Sequence, residues 1–168
     1  MQKILFNNRS AWIAFGLLAG VVISYIVPQQ KAEAITTDRD SKFALATTKV
    51  NFETGIEGIF VLDFLTGQIK GSILDTKAGK FNHAYFRNVA VDFNIDPKAK
   101  PHYAIVSGKA PLRNLNGVSM AQSVIYVAEL TSGKVLCYAY PYGTSRNKVA
   151  PVELVLLDGF QFREAIGN

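Results

Sequence analysis

Asp92, Asn94 and Asp96 carry oxygen at alternate positions, the D-x-N-x-D spacing with which a calcium-binding loop begins. The continuation departs from such a loop. Pro97 takes the position of the sharp-turn glycine and Tyr103 that of the bidentate glutamate, while Phe93 and Ile95 alternate with the polar residues as at a strand end. His83 and His102 are the only histidines, they lie in different segments, and with Cys137 as the single cysteine a His/Cys zinc set is short of ligands. The expected role of both histidines is hydrogen bonding at the surface or in turns. No metal site is read from these residues.

Cys137 alternates with Val135 and Ala139 on one strand face, which is the pattern of a small buried hydrophobe. A nucleophile would need an electropositive pocket and a neighbouring base. The chain contains no G-x-S-x-G elbow, no G-x-x-x-x-G-K-[ST] loop and no G-x-G-x-x-G, so no catalytic residue is named and no cofactor is expected. Tyr138, Tyr140 and Tyr142 are spaced by two and followed by Gly143, which puts three rings along one strand face. That stripe either binds a glycan or a partner strand, or packs a sheet face.

The elements that would carry these residues are short runs of Val, Ile, Phe, Tyr and Thr broken by Gly, Asn, Asp and Pro, which is the pattern of antiparallel β structure. At an offset of 66, EGIFVLDFLTGQIKG (57–71) matches SVIYVAELTSGKVLC (123–137). Each copy reads as a β-hairpin whose turn ends in Gly67 or Gly133, and Asp63 and Glu129 stand just before those turns, where a carboxylate accepts turn N–H groups. Strands at Lys42–Val50 and His102–Ala110 precede the hairpins, and Ala84–Phe93 and Val149–Leu157 are candidate fourth strands. The expected fold is all-β: two pseudo-repeated four-stranded units in one antiparallel domain, arranged as a sandwich, a partly closed barrel or a propeller-blade-like pair.

Ahead of this domain, residues 11–27 read AWIAFGLLAGVVISYIV, without a charge, and span about 26 Å as a helix against a hydrocarbon core of about 30 Å. Trp12 and Tyr25 mark the two interfaces, and Lys3 and Arg9 put positive charge on the cytoplasmic side. The chain is thus expected to have a cytoplasmic N-terminus (1–10), a single-pass transmembrane helix or uncleaved signal anchor (11–27), a tether (28–41) and an exported β domain (42–168) in the periplasm or otherwise outside the cytoplasm. Ala32-Glu33-Ala34 offers the alternative of signal cleavage. Gly16, Gly20 and Ser24 share one helix face, where a second helix could approach.

Of 18 basic and 13 acidic residues, 15 and 12 follow Ala34, leaving a scattered excess of +3 that is no nucleic-acid footprint. The expected partners are membrane lipid along residues 11–27 and a protein partner or a second copy of the chain.

Two resemblances follow from these segments. Asp63-x-x-Thr66-Gly67 and Glu129-x-x-Ser132-Gly133 resemble the hairpins of quinoprotein-like β-propeller blades, although those blades place Trp four residues after the Gly, where this chain has Gly71 and Cys137. The runs TDRDSKFAL, VLDFLTGQIKGSIL, YFRNVAVDFNIDPKAKPHYAIVSG, VIYVAELTSGKVLCYAYPY and APVELVLLDGFQFRE resemble small, uncharacterised single-pass proteins of planctomycete-type bacteria. The second resemblance implies an envelope setting and supplies no site residues. The function so read is a non-enzymatic interaction or structural component of the cell envelope, the alternative being an accessory subunit of an envelope redox enzyme or cofactor-binding complex.

Overall fold

The computed structural model describes residues 8–26, 37–96, 98–112, 114–115, 117–143 and 150–163, and the chain divides into two compact units, Met1–Ala34 and Ile35–Asn168. The first contains helix α1, Asn8–Ile26. Its 19 residues rise about 28 Å. Its described part starts three residues before the expected apolar run, because backbone hydrogen bonding does not stop at a polar side chain; Val27, the last residue of that run, lies outside the described residues. Among the described residues no helix is long and apolar enough to cross a membrane. Side chains along α1 are described from Trp12 to Val21, and of these Trp12, Ile13, Phe15, Leu17, Leu18 and Val21 are exposed. A Cβ added at Gly16 or Gly20 would meet open space, while the side chain of Ser24 lies outside the described residues.

The second unit is all-β. Its described strands are β1 (Thr37–Arg39), β2 (Phe43–Asn51), β3 (Ile56–Asp63), β4 (Gln68–Asp75), β5 (Lys80–Asn88), β6 (Tyr103–Lys109), β7 (Ser123–Glu129), β8 (Lys134–Ala139), β9 (Val152–Glu153) and β10 (Val155–Gln161), with one helical turn, α2 (Val89–Asp92). One sheet has the order β1-β2-β3-β4-β5-β9 and the other β10-β8-β7-β6, so neither closes on itself as a barrel. Every pairing is antiparallel except β5 with β9.

The turns have one chemistry. Asn51, Asp63, Asp75 and Glu129 each precede a glycine by four residues, at Gly55, Gly67, Gly79 and Gly133, and all four glycines have φ between 63° and 71°. In the first three, the side-chain Oδ1 accepts the N–H groups two and three residues on, as Glu129 does with Thr131 and Ser132. The glycine N–H then donates to the carbonyl four residues back. Each hairpin is therefore closed by local hydrogen bonds that the sequence supplies at a fixed spacing.

Two expected strands shift. The first of the fourth strands, expected at Ala84–Phe93, is β5 from Lys80, because Val89 leaves the ladder when its N–H donates to the carbonyl of Gly67 and α2 begins. The second, expected at Val149–Leu157, divides: β9 crosses to the first sheet beside β5, and β10 carries the ladder with β8. The first sheet also begins earlier than the expected domain start, since β1 lies inside the segment read as tether and pairs with β2.

Both sheets contribute to one apolar core, with Ala44, Ala46, Phe60, Leu62 and Ile69 from the first and Tyr103, Ile105, Ile125, Val127 and Leu136 from the second. The two repeats enter it with opposite faces. Phe60 is wholly buried in this core, but its counterpart Tyr126 lies in a separate cluster on the far side of the second sheet with Val124 and Cys137. Ile125 and Val127 point into the shared core, whereas their counterparts Ile59 and Val61 are only half-buried on the outside of the first sheet. Within the second unit, one repeat thus presents to the other the face that the other turns away, so the two repeats stack head to tail.

Candidate functional site

A cleft of about 530 Å³ lies at the end of the first sheet, lined by Asp75, Lys77, Asn82, His83 and Tyr142 over an apolar floor that includes Ile73. A register shift between Ile73 and Leu74 makes it, because the extra residue on β5 leaves two consecutive side chains, Asn82 and His83, buried. Asn82 Nδ2 donates to Asp75 Oδ2 at 3.3 Å, and its Oδ1 lies 2.6 Å from His83 Nδ1. His83 Nε2 lies 3.1 Å from the carbonyl oxygen of Gly143, and the ring stacks on Tyr85 and leans on Tyr142 with centroids 6.2 and 5.4 Å away. Both ring nitrogens therefore face protein oxygens. In this arrangement neither is presented to the cleft as a base or a ligand, so what the cleft offers is shape, the Tyr142 ring and the polar ends of its turns.

A second polar centre joins the sheets. Arg87 on β5 grips Asp92 through Nε to Oδ2 at 2.8 Å and Nη2 to Oδ1 at 2.6 Å, and its Nη1 reaches Glu153 at 2.9 Å. Tyr138 donates to Asp92 Oδ2 at 2.9 Å. The hydrogen bonds to Asp92 hold the guanidinium in its charged form, and burial pushes the Tyr138 phenol above its ordinary range, with the Asp92 carboxylate adding to the rise. Every charge here has a protein partner, which is the geometry of a tie between elements.

The residues singled out from sequence are distributed as follows. Asp92 is committed to Arg87 and Tyr138, Asn94 takes φ 54°, and Asp96 Oδ1 caps Lys98 N at 2.8 Å, so the three do not converge. No group of His, Cys, Asp and Glu that could hold a metal occurs among the described residues. His102 is exposed and uses its backbone N–H on Glu129. Cys137 is half-buried, and burial, then Asp158, push its thiol up, away from reactivity. Of the tyrosine stripe, Tyr138 and Tyr140 are wholly buried core residues, and Tyr142 alone borders the cleft. Asp75, Asn82 and Arg87 were not singled out from sequence. Asp75 had a signal, its D-x-x-x-G spacing to Gly79, whereas Asn82 depended on the bulge.

Compared with known proteins, the chain matches no family model, no curated protein and no solved structure.

Proposed function

We propose that this protein is a single-pass, membrane-anchored β domain held outside the cytoplasm, where it acts as a non-enzymatic interaction or structural component of the cell envelope. The observation that carries this reading is the surface of α1. At 100° per residue, Trp12, Ile13, Phe15, Leu17, Leu18 and Val21 occupy its whole circumference, all exposed. A helical stretch that is apolar on every side, as from Trp12 to Val21, needs apolar surroundings, and a bilayer supplies them, although the described residues alone are not long and apolar enough to cross one. Lys3 and Arg9 precede the run and favour a cytoplasmic N-terminus.

The head-to-tail stacking of two four-stranded meanders favours the propeller-blade-like arrangement over a sandwich whose repeats meet through equivalent faces. It also lends the alternative, an accessory subunit of an envelope redox or cofactor-binding complex, its one structural support. Absorption spectra of the purified full-length protein separate the two: a bound chromophore favours the alternative.

The main reading is tested by fractionating cells that express the full chain. Retention in the membrane after an alkaline carbonate wash, with the β domain accessible to protease only from outside, is the expected result. A chain that washes off, or one that begins after Ala34, overturns permanent anchoring.

A further inference from the structure

Among the described residues of the β unit, nothing covers one face of the first sheet. Phe81, Phe86 and Leu74 on it are 59, 44 and 40% exposed, beside half-buried Ile59 and Val61. The internal repeat indicates what such a face packs against. Its counterpart on the second sheet, with Ile125, Val127 and Leu136, is covered by the opposite face of the six-stranded first sheet. A second copy cannot offer that opposite face cleanly: on its first sheet it is already covered, and on its second sheet Leu112, Leu115 and Met120 of the β6–β7 connection stand over Val124, Tyr126 and Ala139. What a second copy does offer is its own uncovered face, so the contact must be two-fold.

We propose that two copies of this chain pair through the outer face of the first sheet, about a two-fold axis that crosses the strands at the level of Ile59 and Ser72. Strand register supports self-complementarity about that line. Ile59, Ser72 and Ala84 form one row across β3, β4 and β5, and Val61, Lys70 and Phe86 form the next row to one side. On the other side stand Glu57, Leu74 and Phe81, with Leu74 opposite Phe81. Rotation about the central row lays Phe86 of one copy over Phe81 and Leu74 of the partner subunit. It also brings exposed Glu57, which stands opposite Lys49 on its own sheet, to the neighbourhood of exposed Lys70 of the partner subunit. Apolar surface then meets apolar surface and opposite charges meet, with small Ser72 and Ala84 where the sheets approach closest.

This deepens the interaction reading without depending on membrane attachment, because wash-off from membranes and loss of pairing are separate readouts. The test is the mass of the full-length protein in detergent micelles, by light scattering corrected for bound detergent, for five chains. Wild type is expected to be dimeric, Phe86→Asp monomeric and still folded, and the doubly substituted Gly16→Leu/Gly20→Leu chain dimeric. A monomeric wild type, an assembly larger than a dimer, a dimer that survives Phe86→Asp, or one lost on removing the glycines of α1 overturns the proposal. The fourth and fifth chains guard against misfolding of Phe86→Asp: Lys70→Glu should weaken the dimer about tenfold, and adding Glu57→Lys should restore it. Lack of weakening by Lys70→Glu, or of rescue by the second change, also overturns it.

Discussion

Tyr138, on a strand of one sheet, donates its phenolic proton to Asp92, in the helical turn that follows the last hairpin strand of the other, at 2.9 Å. The same carboxylate holds Arg87 in a two-point ion pair. Asp92→Ala leaves a buried hydroxyl without its acceptor and a largely covered guanidinium with only Glu153 and the Leu154 carbonyl. The expected cost is about 3 kcal/mol, or a fall of roughly 10 °C in Tm for a domain of this size. Asp92→Asn, which keeps an acceptor for Tyr138, should lose clearly less. Equal losses in thermal unfolding of the two variants would show that the Tyr138 bond carries no part of the tie.

The four turn glycines all have positive φ but differ in what surrounds them. A Cβ on Gly79 meets open space, whereas one on Gly67 would overlap Ala90 and one on Gly133 would overlap Arg163. Gly79→Ala should therefore cost about 1 kcal/mol from backbone conformation alone, and Gly67→Ala and Gly133→Ala about 3 kcal/mol. The difference has a structural reading, since Val89 N–H bonds to the carbonyl of Gly67 as Phe162 N–H bonds to that of Gly133. Denaturant midpoints that rank Gly79→Ala as the worst of the three would contradict the close approach.

These turns show how far the sequence could be read. Asn51, Asp63 and Asp75 recur every twelve residues, each four ahead of a glycine, so the first three hairpin turns were legible from residue type and spacing, although only Asp63 and Glu129 were picked out. The strand patterns of β2, β3 and β7 were legible for the same reason. The facing of the repeats was not, because both faces of each sheet carry apolar residues and only tertiary packing decides whether Phe60 or Ile59 goes inward. Nor was the cleft: the bulge that buries Asn82 beside His83 depends on the register between β4 and β5, which no local signal sets. The tyrosine stripe was read with the right alternation, yet Tyr138 and Tyr140 went to the core because a second sheet covers that face. Its likeness to a binding surface in sequence terms is real, since aromatic rows serve both purposes.

Glu129 should make the domain acid-sensitive. Burial alone would raise its pKa, but the N–H groups of Ser132, Thr131 and His102 outweigh that and hold it below its ordinary value. A depressed pKa contributes stability that is present above the unfolded-state value near 4.3 and is lost as pH falls through the lower, folded-state value. Stability should therefore decline from about pH 5 downward. Glu129→Gln should be less stable at neutral pH and decline less steeply in acid. An unchanged acid slope in urea unfolding of the variant would remove Glu129 from that role.

Tyr103 provides the opposite sign at the other end of the pH scale. Its ring is wholly buried between Phe64 and Phe93, at centroid distances of 6.1 and 6.0 Å, and its hydroxyl has no hydrogen-bond partner among the described residues. Burial, with the Glu129 carboxylate adding to it, pushes the phenol up to about 12. Because the folded-state pKa is raised, the contribution of this group is fully present below the unfolded value near 10 and is lost as pH climbs from there through about 12. Tyr103→Phe removes an unsatisfied buried oxygen and keeps the ring, so at neutral pH it should be neutral or stabilising by up to about 1 kcal/mol. It should also delay alkaline unfolding. Urea unfolding at neutral pH and at about pH 11 measures both effects. A loss above about 1 kcal/mol at neutral pH would mean that the hydroxyl is satisfied after all, by a bound water that the Phe variant cannot hold.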